Sequence, residues 1–523
     1  MKKSKKKKGG GGGGGGETKE TKVNLFPKNV KATSIDEIVE VLNRPYGKPK
    51  VEVLDLTEAK LGDDGVGRIA SHMQKNPKGL ETLILINNQL GPRSSDRMAS
   101  AVAGSRSLTT LDLSRNSLGD RGLAVLCESL LSNLTLTNLN VSSNSIGATD
   151  RGLWCIHLCN VLRTKKIQHL SIADNLIGCQ DMLALVEATH SPTCNLVTLD
   201  ISYNPINDEG IEGLCLAMEQ GFLKTLKILK MSSVGMGPIC VRQLGKAFRC
   251  EKCVVEILWI DYNPNVGYLG MTSFIEQTFH KNKLCQLIEL QMGGGTMSGG
   301  GIGSESGGGS GGSESESGGG GGGGTNKFSY PETAALPTPT IRPFVDAYQG
   351  KNGMTRKVVE KEDGATKADQ SETKKEEEEE EQEEEEQEKE EEEKKKKSPK
   401  ELLWTSLSRA VSLNKTLKTL NISEELSMDD DACALFVTGL LQNVSITTVV
   451  FNGNSLADEG AALMSDVLVD QNILLHMSLR RNIFADDGGV SLAESLIDNE
   501  TLLTLDVAHN QMDTEGTFSS ISI

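Results

Sequence analysis

The sequence predicts an α/β solenoid of about 12 to 13 stacked strand-helix units, with a parallel β-sheet on the concave face and helices on the convex face. Three observations carry this. One set of positions recurs after 28 residues, with Leu111, Leu113, Asn116 and Leu118 answered by Leu139, Val141, Asn144 and Ile146. Within each period, alternating apolar and polar residues give way to apolar residues at helical spacing. An asparagine marks the switch.

Each part of the period has a physical role. In LDLSRN, Leu111 and Leu113 alternate with Asp112 and Ser114, the pattern of a short strand with one buried face. Asn116 turns the chain, and its amide can satisfy backbone groups that the turn would bury unpaired. Residues 122–131 then bring Leu123, Leu126, Leu130 and Leu131 onto one helical stripe that packs behind the strand. Asn133 stands where a left-handed residue commonly closes a helix. A single unit cannot bury its own apolar face, so stability comes from stacking neighbours.

Strands of this kind are expected at 53–56, 83–85, 111–113, 139–141, 170–172, 199–201, 229–231, 258–260 and 288–290. Four more follow at 420–422, 449–451, 477–479 and 505–507. Turn asparagines at Asn88, Asn116, Asn144, Asn175, Asn204, Asn263, Asn454, Asn482 and Asn510 keep the register, while Ala59 and Val234 replace them and predict looser turns.

Four segments result. Residues 1–33 are a basic, glycine-rich tail that cannot pack. Residues 34–292 hold the first repeats, opened by an amphipathic capping helix at 34–42 with Ser34 and Glu37 as its capping box. Residues 293–397 read as a disordered insertion: a Gly/Ser tract, the segment YPETAALPTPTIRPF, and a glutamate run at 376–393 before lysines 394–397. Residues 398–523 continue the same solenoid, because Ser398, Pro399 and Glu401 open a helix that the ninth strand lacks. No polar cap follows the last strand, which predicts an edge covered by a partner or a truncated sequence.

The units resemble leucine-rich repeats. Their period of 28 to 29 residues and the phrase NxLGDxG resemble the ribonuclease-inhibitor type, a class that includes Ran GTPase-activating proteins, the sensor ends of NOD-like receptors, tropomodulin and axonemal proteins. That resemblance implies an intracellular protein-protein interaction scaffold that binds its partner on the concave face. Arg115, Tyr203, Trp259, Asp261, Tyr262, Arg480, Arg481 and His509 point out from the strands, and aromatic and arginine side chains dominate interface hot spots. Trp259 and Tyr262 in ILWIDYN resemble the aromatic anchors of the class.

The alternatives are a GTPase-activating protein for a Ran-type GTPase and a structural component of a cytoskeletal or flagellar assembly. In Ran GTPase-activating proteins the catalytic arginine lies on a turn within Gly-Arg-x-x-Asp; Gly91, Arg93 and Asp96 fall near that register, with Pro92 intervening. An arginine finger at Arg93 is the corresponding expectation.

No phosphate-binding glycine loop or nucleophile elbow is found, so no enzyme, cofactor or metal is expected. Cys250 and Cys253 form a lone CxxC, and Cys155, His157 and Cys159 share a helix; both sets read as structural. Asn-x-Ser/Thr sequences at Asn133, Asn414, Asn421, Asn443 and Asn499 read as structural too. The expected partner is a protein, with a small GTPase or a basic or cytoskeletal protein as its classes, and specific nucleic-acid binding is not expected. No apolar run approaches the ~18 residues of a membrane span. Eleven cysteines and an amino terminus without an apolar stretch predict a cytoplasmic address, with the nucleus, cytoskeleton and flagellum as further ones.

Overall fold

Each period folds as one three-residue strand followed by one helix. The computed structural model describes residues 52–149, 152–164, 167–279, 285–293, 396–423, 426–497, 499–512 and 521–522. The predicted tail, the capping helix and residues 294–395 of the insertion lie outside the described residues.

The strands are β1 Val53–Asp55, β2 Thr82–Ile84, β3 Thr110–Asp112, β4 Asn138–Asn140, β5 His169–Ser171, β6 Thr198–Asp200 and β7 Ile228–Lys230. Next come β8 Ile257–Trp259, β9 Glu289–Gln291, β10 Thr419–Asn421, β11 Thr448–Val450, β12 His476–Ser478 and β13 Thr504–Asp506. They pair in chain order, parallel throughout, in one open sheet. β14 Ile521–Ser522, which sequence patterning did not predict, pairs antiparallel with the outer edge of β13.

The helices are α1 Gly62–Lys75, α2 Pro92–Gly104, α3 Gly119–Leu130, α4 Leu153–Thr164, α5 Cys179–Thr189 and α6 Asn207–Gln220. They continue as α7 Pro238–Phe248, α8 Gly267–Phe279, α9 Pro399–Leu413, α10 Asp430–Gln442, α11 Asp458–Asp470 and α12 Asp486–Ser495. Each packs against the next, and the core lies between helices and sheet, where Leu111, Leu113, Leu123 and Leu126 are buried together with their counterparts in other units. Among the described residues no element packs on the opposite face of the sheet, the open face.

The strands end one residue earlier than the leucine pattern suggests. Leu113 N–H still donates to Asn140 O (2.9 Å), but the Leu113 carbonyl is taken by the side-chain amides of Asn116 and Asn144, both at 2.9 Å. Asparagine thus replaces the neighbouring backbone as donor at this carbonyl, and backbone pairing resumes one step on, where Arg115 N–H donates to Ser142 O (2.9 Å). Asn116 Nδ2 also donates to Leu85 O (2.9 Å), and its Oδ1 accepts from the N–H groups of Asn88 (2.9 Å) and Leu90 (3.1 Å).

The helix-end asparagines work through side chains as well, which corrects the expectation for Asn133. It has no left-handed backbone; its Nδ2 donates to Val102 O (2.7 Å) in the preceding unit and its Oδ1 accepts from Thr135 N and Leu136 N. Asn443 repeats the arrangement with Val411 O, Ser445 N and Ile446 N. In both, the nitrogen that glycosylation would modify is a buried donor.

The turn at Val234 follows the same path as its neighbours, contrary to the looser turn expected there. Ser233 before it has φ 54°, Val234 N–H donates to Asn263 Oδ1 (3.0 Å), and Val234 fills its core position. Only the amide is missing.

β9 pairs directly with β10, Leu290 opposite Leu420, and α8 packs on α9. Ser398 opens α9 as an N-cap: its Oγ accepts from Glu401 N (3.2 Å), and Glu401 Oε2 accepts from Ser398 N (2.7 Å). Trp404 of α9 then packs edge-on against Phe436, which meets Phe451 the same way.

Candidate functional site

At the end of each strand, just before the ladder asparagine, the chain adopts a left-handed backbone. The row comprises Glu58, Asn87, Arg115, Ser143, Asp174, Tyr203, Ser233, Tyr262, Arg481 and His509, with φ between 52° and 62°, and Gly453, with Ala59 and Val234 standing for the asparagine after Glu58 and Ser233. Glycine is the residue that takes this conformation without cost; an L-residue loses about 1–2 kcal/mol there. Arginine, tyrosine and histidine nonetheless occupy five of these positions, all of them residues singled out from the sequence. The turn directs them away from the core.

The predicted residues fall into three groups. Arg115 stands alone and exposed beyond β3. Tyr203, Trp259, Asp261 and Tyr262 gather over β6 to β8. Tyr203 and Tyr262, 48% and 37% exposed, lean towards each other across the unit between them, with ring centroids 6.3 Å apart and planes tilted by 38°. Trp259, singled out as a solvent-facing anchor, is half-buried: the ammonium of Lys230 lies 3.4 Å over its ring centre, and its Nε1 donates to Glu289 Oε1 (2.8 Å).

Asp261 also departs from expectation. It is 5% exposed and accepts from Ser232 Oγ (2.5 Å), so it cannot be a surface contact. Burial pushes its carboxyl above the ordinary carboxylate range, against the opposing effect of the Ser232 hydrogen bond. The third group closes the far end of the sheet: Arg480 Nη2 donates to His509 Nε2 (2.7 Å), and the Arg480 N–H donates to Asn452 Oδ1 (2.9 Å). A guanidinium has no acceptor, so His509 accepts through Nε2.

Residues 47–70, 104–127, 194–215 and 498–517 match the Leucine Rich repeat family. Together with the strand-helix units and the single parallel sheet, this fixes the architecture. The chain folds as a leucine-rich repeat solenoid. No curated protein matches it. Similar solved structures include the Rad7 and Elc1 complex in yeast, at 13% identity and TM-score 0.37, covering 87% of this chain and 86% of that one. Another is an internalin, InlF, from Listeria monocytogenes, at 11% identity and TM-score 0.35, covering 86% and 95%.

Elsewhere on the leucine-rich repeats, Arg93 lies in the first turn of α2, not on a loop. Gly91 is the N-cap and Pro92 the first helical residue, so the resemblance to Gly-Arg-x-x-Asp is broken by the helix start that proline favours. Asp96, the other part of that resemblance, pairs with Arg121 (3.1 Å).

Cys155 and Cys159 sit one turn apart on α4 with their sulfurs 3.9 Å apart and buried. The hydrogen bond to Cys159, then burial, raises the Cys155 thiol well above its ordinary range. Cys250 Sγ contacts Glu219 O (3.3 Å), while Cys253 is buried with its thiol pushed up to about 11 by burial. Among the described residues no group of three or more metal-ligating side chains converges, and no helix is long and apolar enough to cross a membrane.

The row of left-handed positions was missed by sequence reasoning, although a signal exists. The residue before each ladder asparagine is a glycine-type position, and Tyr203 and Tyr262 are the largest side chains placed in it.

Proposed function

We propose that this chain is a non-enzymatic protein-protein interaction scaffold of the ribonuclease-inhibitor type, binding its partner on the open face of the sheet around Tyr203 and Tyr262. The supporting observation is the tyrosine pair: two large exposed rings held side by side at backbone positions that disfavour any residue but glycine. Strain of this kind clusters at binding sites, because folding alone gives no reason to keep it. Eleven unpaired cysteines suit the reducing interior of a cell.

The test is Tyr203→Gly combined with Tyr262→Gly. Glycine relieves the left-handed backbone by about 1–2 kcal/mol per site and loses about 0.5–1 kcal/mol through added freedom of the unfolded chain, so stability should barely change. Partner binding, measured on proteins captured from cell extract and then titrated in purified form, should weaken by the ~2 kcal/mol or more of hot-spot aromatics. Unchanged capture and affinity in the double variant would remove the open-face reading.

For the GTPase-activating alternative the discriminating measurement is hydrolysis by a Ran-type GTPase. An arginine finger contributes roughly 10³–10⁵ in rate. With Arg93 on a helix start near Asp63, whose carboxyl is held low first by the Ser94 hydrogen bond and least by Arg93, no acceleration is expected from either the unmodified chain or Arg93→Ala.

A further inference from the structure

We infer that the tyrosine pair and the carboxylates beside it form a receptor for an arginine side chain carried on an extended basic segment of the partner, an inference that rests on the open-face reading above. Its basis is a difference in how the two surfaces of the solenoid balance charge. On the helical side, carboxylates meet cations: Arg97 with Asp64 (2.8 Å), Arg121 with Asp96 (3.1 Å), Arg163 with Glu187 (3.7 Å) and Lys400 with Asp429 (2.5 Å).

On the open face, among the described residues, the carboxylates nearest the tyrosines are met by neutral donors, and an ion pair of Lys227 with Glu256 (2.5 Å) lies ahead of β7 and β8, at the strand ends opposite Tyr203 and Tyr262. Asp174 accepts from Ser143 Oγ (2.6 Å). Asp200 accepts from Ser202 N (3.2 Å) and Ser171 Oγ (3.3 Å), and Glu289 from the Trp259 indole (2.8 Å). Lys230 stands opposite Asp200 in the strand register, yet its ammonium lies on the Trp259 ring, so that among the described residues no cation pairs with Asp200. The chain as a whole carries a net charge of -17, which favours encounter with cationic partners.

Position turns these carboxylates into a site. Asp174 and Tyr203 are consecutive members of the left-handed row, one strand spacing of about 4.8 Å apart, and Asp200 ends the strand that leads into Tyr203. A guanidinium is planar, stacks on an aromatic face and donates from its edge. Laid over Tyr203 it presents that edge to Asp174 and Asp200, while Tyr262 extends the platform for the stem of the side chain or for the next residue of the segment. An ammonium, a compact point charge, matches only part of this arrangement.

The full chain contains its own reporter. Trp154 and Trp404 are 1% and 0% exposed, so a soluble quencher such as acrylamide reads Trp259, which borders the tyrosine pair. The probe is an acetylated (Gly-Arg)4 peptide, with a counterpart in which citrulline replaces each arginine, keeping shape and losing charge. The arginine peptide is expected to shield Trp259 from acrylamide, and Asp174→Asn with Asp200→Asn to weaken that effect about tenfold or more. The citrulline peptide should not shield it.

Equal shielding by both peptides, no shielding by the arginine peptide, or unchanged affinity in the Asp174→Asn and Asp200→Asn variant would each overturn the arginine receptor. The open-face reading fails separately, when the tyrosine variant keeps its captured partners; if that variant loses them and the aspartate variant keeps them, the surface binds protein but not through arginine. Asparagine retains the acceptors for Ser143, Ser171 and Ser202, so the aspartate variant should keep its melting temperature.

Discussion

Asn144 shows what one residue does for this fold. Its Nδ2 donates to Leu113 O, Val141 O and Ser142 O at 2.9 to 3.1 Å, and its Oδ1 accepts from Leu118 N (3.2 Å), so it joins two units through buried groups with no access to water. Asn144→Ala should cost about 2–4 kcal/mol, since each orphaned backbone group carries its own desolvation penalty; urea denaturation checks it. At position 234 the reverse change should be mild. Val234→Asn places an amide where Ile201 O and Met231 O lie within the reach that other ladder asparagines use, so a loss under about 1 kcal/mol is expected instead of the several kcal/mol of an unpaired buried amide. Asp261 gives a pH test. Its folded pKa is raised by burial, so its contribution is full below the ordinary carboxylate pKa and is lost as pH rises through the folded value. Asp261→Asn should therefore gain stability towards neutral pH and flatten the decline that begins at about pH 4. The ladder was legible in the sequence because asparagine recurs at one register. The burial of Asp261 was not, because alternation places it outward and only Ser232 and Gln291, whose side chains hydrogen-bond to it, show that it is covered.

Between elements, helix starts are capped by the unit before. Gly91 and Gly237 open α2 and α7 with no side chain to accept from the helix. Asp63 Oδ1 accepts from Gly91 N (3.1 Å) and Asp208 Oδ1 from Gly237 N (2.6 Å), each from the preceding helix. Asp458 serves α12 in the same way through Ala485 N (2.7 Å) and Gly488 N (2.9 Å). A carboxylate there answers both the unpaired N–H groups and the positive end of the helix. Asp458→Ala should cost about 1–2 kcal/mol, the usual loss for a cap, and hydrogen exchange should rise at the start of α12 more than within α11. Equal exchange in both would show that the aspartate only supports its own helix. The phrase NxLGDxG displays this aspartate plainly, yet its partner lies 27 to 30 residues further on, beyond the reach of any local reading of the motif.

At the scale of the molecule, the ninth unit decides whether the repeats are continuous, since its strand and helix are separated by more than a hundred residues of sequence. β9 pairs with β10 in the same parallel register as every other neighbour, and Thr416 Oγ1 reaches back to Cys285 O (3.3 Å). Ser406 Oγ contacts Glu276 Oε1 (3.4 Å), so the helix that follows the insertion is joined to the helix that precedes it. In a stack of repeats, cooperativity depends on each interface between neighbours being strong enough to make partial unfolding unfavourable. The interface between α8 and α9, with the β9 to β10 pairing behind it, meets that condition by the same contacts as the others. Replacing residues 296–395 with a short Gly/Ser link is therefore expected to leave one unfolding transition by calorimetry. Two transitions, each keeping its midpoint when the other half is destabilised, would show that the repeats on either side fold independently and that the shared sheet does not couple them.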